Sequence, residues 1–266
     1  MYAQAVRIPP VHLRGKRIQS SAFAQCAKGC AFPDVQLDCI KYLKLGDPVR
    51  GGGGILMKSI SESEACSMNT ENLRWTRAPQ EYSIQPGRIE ITTMPHTDLW
   101  QRTYYHFRND NAPVLQMETE EQYFSFTVKT DFTESHHRFD QCGIVMYLDS
   151  ENWLKGSVEY ENETFQHLGS VVTNHGYSDW ATTAIPADVK VMWYRFSRRG
   201  DDYCIECSQD GKAFTQMRVC HMWEGHGKIR FGIYACSPED SSFKAVFTDM
   251  KITECVWKAH DGQQPD

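Results

Sequence analysis

Three carboxyls at alternate positions, Glu159, Glu161 and Glu163, are the group in this sequence best spaced for catalysis. Alternate residues on an extended strand share a face. Two carboxyls about 5 to 5.5 Å apart suffice for retaining hydrolysis of a glycosidic bond, one as nucleophile and one as acid. Glu161-Asn162-Glu163-Thr164, however, has the composition of a turn, which takes the later two acids out of the strand and leaves Glu159 alone. Glycoside hydrolysis through Glu159 is therefore kept as an alternative, and binding is the leading expectation.

The neighbours of Glu159 carry the case for binding. Trp153, Lys155, Ser157 and Glu159 alternate against Leu154, Val158 and Tyr160. Just upstream, Gln141, Val145, Tyr147 and Asp149 alternate against Cys142, Ile144, Met146 and Leu148. Asp149-Ser150-Glu151-Asn152 joins the two segments as a hairpin, which sets cross-strand side chains roughly 4.5 to 5.5 Å apart. Gln141, Tyr147, Trp153, Lys155 and Glu159 then form one polar and aromatic face, and Arg195 and Tyr234 are added from later strands. Aromatic rings pack on the C–H faces of sugars while charged and amide groups bond their hydroxyls, so the class of ligand this face predicts is carbohydrate.

Other chemistry finds less support. There is no G-x-S-x-G elbow for a serine nucleophile. Gly51 to Gly54 lacks the Lys-Ser/Thr of a phosphate loop. His136-His137 near Asp140, and His221 with Glu224 and His226, read as surface histidines, because adjacent residues on an extended chain point apart. Cys204 and Cys207 have C-x2-C spacing but lie in a strand, where residues three apart face opposite ways. No catalytic residue, metal ligand or cofactor is called for.

The elements that must position this face are strands. Period-two segments begin at Leu73-Arg74-Trp75 and continue through Arg88 to Thr93, Val114 to Glu118, Gln122 to Thr130, the central hairpin, Lys190 to Arg199, Tyr203 to Ser208, Ala213 to Val219, Ile229 to Cys236 and Phe243 to Trp257. Gln85-Pro86-Gly87 is a turn, Asp210-Gly211 predicts a tight type I′ hairpin, and Asn109 to Pro113 reads as a loop after the aromatic-rich stretch His96 to Phe107. Tyr123, Ser125, Thr127 and Lys129 alternate against Phe124, Phe126 and Val128, which predicts a half-solvated antiparallel strand. About a dozen strands and no amphipathic helix require two packed antiparallel sheets.

The central run Q-C-G-I-V-M-Y-L-D, N-W-L-K-G-S-V-E and S-V-V-T-N-H-G-Y-S-D-W carries a family resemblance. So do H-T-D-L-W at His96 to Trp100, Arg195 with R-R-G-D, S-Q-D-G, F-G-I-Y-A-C-S-P at Phe231 to Pro238 and F-K-A-V-F-T-D-M-K-I at Phe243 to Ile252. These motifs resemble the regulation-of-enolase-like family of concanavalin A-like sandwiches, whose function is largely unknown. The resemblance covers about Leu73 to Ile252 and implies an all-β jelly-roll sandwich. It also implies regulation of enolase through protein contact, and a basic residue is usual where Tyr147 stands.

Composition sets the remaining bounds. The 266 residues are 41% hydrophobic and 12% aromatic, enough for one large β core. No apolar run approaches the roughly 18 residues of a membrane helix, so a soluble protein without membrane partners is expected. Residues 1–56 hold eight Lys/Arg against three Asp, and the remainder holds 20 basic against 31 acidic residues. An acidic body argues against nucleic acid, whose phosphates are met by clustered Lys and Arg. The ten cysteines follow no secretory signal, which predicts reduced thiols and a cytoplasmic location. Residues 1–56 are expected to be a poorly ordered extension, or a mitochondrial presequence if the acid-free stretch 1–33 is a targeting peptide, with 57–257 the sandwich and 258–266 a disordered tail.

Overall fold

In the computed structural model the described residues are 66–67 and 69–258. The expectations for the extension 1–56 and for the tail beyond Lys258 lie outside them. Seventeen strands occur among the described residues: β1 (Cys66–Ser67), β2 (Arg74–Arg77), β3 (Glu81–Gln85), β4 (Arg88–Thr92), β5 (Leu99–Gln101), β6 (Arg108–Asp110), β7 (Val114–Thr119), β8 (Tyr123–Asp131), β9 (Gln141–Asp149), β10 (Asn152–Tyr160), β11 (Phe165–Asn174), β12 (Tyr177–Pro186), β13 (Val191–Arg199), β14 (Asp202–Ser208), β15 (Thr215–His221), β16 (Ile229–Cys236) and β17 (Lys244–Glu254). The only helix among these residues is a 3-10 turn at Thr70–Asn72, so none is long and apolar enough to cross a membrane.

One sheet runs β12-β11-β10-β9-β16-β7-β2 and the other β15-β14-β13-β8-β17-β4-β3, with β1 also paired to β17. Every strand pairing is antiparallel. The expected two-sheet sandwich is therefore present. Its core follows from the alternation already read: Cys142, Ile144, Met146, Leu154 and Val158 of the first sheet meet Phe124, Phe126, Val128 and Phe196 of the second. Phe231 sits among three of these rings, with centroids 4.7 Å from Phe124, 5.3 Å from Phe126 and 6.1 Å from Phe196. Gly143 lies inside β9 because the backbones crowd there, and a Cβ would stand 1.9 Å from the Gly156 carbonyl oxygen.

Four local expectations need correction. The strand β3 and the hairpin β5–β6 are not among the expected elements: Tyr82 and Ile84 do alternate against Glu81, Ser83 and Gln85 but in a run of only five residues, and Asn109 to Pro113 is rich in loop formers. β6 forms because Leu99, Trp100 and Gln101 pair with Asp110, Asn109 and Arg108. Asp210-Gly211 is not a tight hairpin. It lies in the longer loop between β14 and β15, where Asp210 Oδ1 accepts from the backbone N–H groups of Lys212 and Ala213. The turn with positive φ at both central positions is instead His175-Gly176, between the paired residues Asn174 and Tyr177. The outer face of β8 is solvated only towards its ends, at Tyr123 and Lys129. Ser125 and Thr127 are buried, and Ser125 Oγ is bonded to Ser197 Oγ at 2.7 Å and accepts from the backbone of Val256 in the segment after β17.

Between β4 of the second sheet and β7 of the first, residues 98–111 form the β5–β6 hairpin and close on themselves through a narrow neck. Asn111 closes it, accepting from the Asp98 N–H at 2.8 Å and donating to the His96 carbonyl at 2.8 Å. The hairpin lies over the outer face of the first sheet, where Leu99, Trp100, Ala112 and Val114 build a second, smaller core on Val145, Tyr147, Trp153, Val171, Tyr234 and Cys236.

Candidate functional site

The outer face of the seven-stranded sheet holds a cavity of about 470 Å³ beneath the β5–β6 hairpin. Gln141, Lys155 and Glu159 line it from the sheet, Asp98 and Trp100 from the hairpin, and Trp180 from β12. Tyr105 and Phe107 at the hairpin tip and Phe139 before β9 add aromatic walls, and Arg138 and Glu239 stand with them. The strand pairings explain the assembly. Glu159 is opposite Gln141, Val171 connects Lys155 on one side to Trp180 on the other, and Tyr234 pairs with Gly143.

The floor is a buried charge network. The Lys155 ammonium is 3% exposed, donates to Gln141 Oε1 at 2.7 Å and stands 3.6 Å from Asp98 Oδ1 and 3.9 Å from Glu159 Oε1. It also lies 5.5 Å from the centre of the Tyr234 ring. Tyr234 Oη lies 2.8 Å from both Gln141 Oε1 and Ser157 Oγ. One phenolic proton serves only one of them, so the Gln141 oxygen receives the Lys155 and Tyr234 donors while Ser157 donates to Tyr234. Gln141 Nε2 in turn donates to the Phe139 carbonyl, which fixes the amide. Lys155 thus has three donors and one short partner, a capacity left for an acceptor in the cavity.

Burial pushes the Glu159 carboxyl up to about 7, with Asp98 and Glu161 adding to the shift and Lys155 opposing it. Near neutral pH this group is divided between its acid and its carboxylate, and so can donate or accept. Burial works against the charge of Lys155, but the carboxylates of Asp98 and Glu159 outweigh it and hold the ammonium above its ordinary value. Cys236, buried beside this network, has its thiol pushed well up by burial and is no nucleophile.

The structure brings some of the residues expected at the site together and separates others. Gln141, Lys155 and Glu159 meet at the cavity. Tyr147 and Trp153 are cross-strand partners on the same face, but both are buried under the hairpin in the second core. Tyr147 Oη bonds Asp110 at 2.8 Å and Arg77 at 3.3 Å, so it anchors β6. Tyr234 lies under Lys155 and supports it. Arg195 belongs elsewhere: it is on β13 in the other sheet, bonded through Nε and Nη2 to Glu206 at 2.6 and 2.7 Å and stacked over Phe214. Period-two alternation gives the face of a strand but not its sheet. Asp98, Trp100, Tyr105, Phe107 and Trp180 were not singled out for the site. The available signal was H-T-D-L-W followed by an aromatic cluster, which reads as a covering element once it is known to fold back.

With this geometry in view, the relatives can be placed. Residues 75–255 match the family described as "Protein of unknown function (DUF1349)". The chain belongs to this family. It is 30% identical over 199 residues to "Regulation of enolase protein 1" of Saccharomyces cerevisiae, covering 73% of this chain and 98% of that protein. This bears out the resemblance read from the central motifs. Among solved structures, a functionally unknown protein from Saccharomyces cerevisiae superposes with a TM-score of 0.65 at 26% identity, over 71% of this chain and all of that one. A GH43 protein, BlXynB of Bacillus licheniformis, gives 0.55 at 20% identity over 72% of this chain and 38% of its own. Xylan beta-1,4-xylosidase of Bacillus halodurans gives 0.55 at 15%, over 73% and 39%. These two share the fold of the sandwich and are much longer than it.

Proposed function

We propose that this protein is a non-catalytic binding and regulatory protein of carbohydrate metabolism, and that the cavity on the outer face of the seven-stranded sheet takes a small carbohydrate. The observation that carries this reading is the under-bonded Lys155 ammonium, flanked by Gln141, Asp98 and Glu159 at the base of aromatic walls. Acceptors and donors side by side match the vicinal hydroxyls of a sugar, and Trp100, Tyr105 and Trp180 offer the rings that pack on its C–H faces. The name of the yeast relative adds enolase as the candidate protein partner, with sugar occupancy as the signal that such a contact would read. The free thiols of Cys142, Cys204, Cys207, Cys220, Cys236 and Cys255 suit the cytoplasm.

The test is thermal unfolding of the full chain against a panel of mono- and oligosaccharides. A ligand at one hundred times its dissociation constant stabilises a fold by about 2.7 kcal/mol, which shifts the midpoint. The shift is expected in the wild type and absent in Lys155→Met. A cooperative melt that no sugar moves would sink the carbohydrate reading and leave protein contact.

One observation favours a second reading. A carboxyl poised at about 7 beside a second carboxylate is what a glycosidic acid needs, with Glu159 as the acid and Asp98 across Lys155 from it. Turnover of aryl glycosides that disappears in Glu159→Gln, while sugar still shifts the melting point, would establish hydrolysis.

A further inference from the structure

Among the described residues the strand orders of the two large sheets end in β2, β3, β12 and β15, and three of these carry a device against pairing with another chain. β2 is four residues long, has arginine at both ends and is broken in register between Trp75 and Arg77. β3 has five residues and begins with Glu81. β15 carries Arg218 and is shifted in register against β14 at Ile205/Glu206. Short length, charge and bulges are the usual means by which a sheet edge is kept from recruiting a further strand.

β12 is neither short nor bulged, and its single charge is paired. It is ten residues long and pairs with β11 without a break from Asn174↔Tyr177 to Phe165↔Pro186. It holds no Lys or Arg, its proline is its last residue, and its one acid, Asp179, is tied to Arg218 at 2.8 Å. Trp180 through Ala184, the run W-A-T-T-A, is exposed, and among the described residues no strand lies on its far side.

We propose that this edge pairs with the β12 edge of a second copy of the chain, antiparallel, about a two-fold axis normal to the sheet. Such an axis preserves the faces of the sheet, so each residue meets one of the same parity in the copy. A register centred on Thr182 or Thr183, near the middle of the exposed run, sets the Trp180 ring against alanine or proline and never opposes Asp179 to its own copy. A charged partner would find no complementary charge along the run, whereas the strand is compatible with itself. Because Trp180 also walls the cavity, the added strand lies directly beside the site, and the two cavities of the pair face one seam.

Sedimentation velocity of the full chain over a wide concentration range tests this. The wild type is expected to be a dimer. Thr182→Lys/Thr183→Lys opposes like charges across the seam and is expected to weaken the dimer at least about tenfold with an unchanged melting temperature. Val219→Lys on the exposed β15 edge is expected to leave it intact. A monomeric wild type overturns the proposal, as does a dimer that survives the double substitution. Should the double variant not melt cooperatively, Thr182→Glu/Thr183→Glu opposes like charges at the same seam and is read in the same way.

Discussion

Two buried cations in this molecule are treated in opposite ways. Arg198, on β13, is fully buried, and its guanidinium is spent on the carbonyls of Glu121, Gly200, Gly225 and Gly227 and on Gln122 Oε1, at 2.8 to 3.1 Å. Tyr203 Oη joins it at Gly225. Lys155, nearly as buried, has one short hydrogen bond and two carboxylates at longer range. A buried charge each of whose nitrogens meets a close acceptor clamps loops together, whereas one with donors to spare beside a cavity is set for a ligand.

That contrast can be broken most forcefully at the clamp. Arg198→Met is expected to cost roughly 3 kcal/mol or more, because several buried carbonyls lose their donor at once. Denaturant unfolding measures it, and a loss below about 1 kcal/mol would mean that water replaces the guanidinium. Lys155→Met keeps the volume but strands Asp98 and Glu159. A smaller loss of about 2 kcal/mol is expected by the same measurement, together with loss of the sugar-induced melting shift.

Glu159 sharpens the comparison through pH. Its carboxyl is raised in the fold from 4.5 to about 7, so the folded state holds a proton that the unfolded state releases between those values. The stabilising contribution is fully present below about pH 4.5 and is lost as pH rises through about 7. Glu159→Gln is expected to remove that slope, an effect on the order of 1–3 kcal/mol, and to gain stability relative to wild type at pH 8. Melting curves across pH check it, and parallel profiles for the two proteins would show that the carboxyl does not titrate in this range. The smallest effect is assigned to Arg195→Ala. Breaking its part-buried pair with Glu206 should cost about 1 kcal/mol or less and leave sugar binding unchanged. A binding defect there would join the two sheets functionally in a way the geometry does not.

How far the site could be read from the sequence follows from what alternation encodes. The faces of β9 and β10 were legible because Gln141, Lys155 and Glu159 fall at even spacing within two strands joined by a tight turn. What lies above that face was not. Tyr147 and Trp153 share it, yet the β5–β6 hairpin buries them, and the hairpin is assembled from Asp98, Trp100 and Asp110, whose partners lie far along the chain. Arg195 was misplaced for the same reason: nothing local states which sheet a strand joins. The turn at His175-Gly176 was hidden by its histidine, which accepts a positive φ at a cost that Gly176 and the strand pairing offset.

The neck of the covering hairpin makes the roof of the cavity separable from its floor. Asn111 bonds both to Asp98 and to His96, so the excursion from 98 to 111 is closed on itself at its base and crosses none of the strand pairings of the sandwich. A closed excursion of this kind behaves as an exchangeable cassette. Its tip, with Tyr104, Tyr105 and Phe107, can be lengthened, trimmed or grafted from one member to another while the sheet beneath keeps its register. Replacing the roof in this way would change what the cavity admits while Lys155 and Glu159 stay in place as its floor.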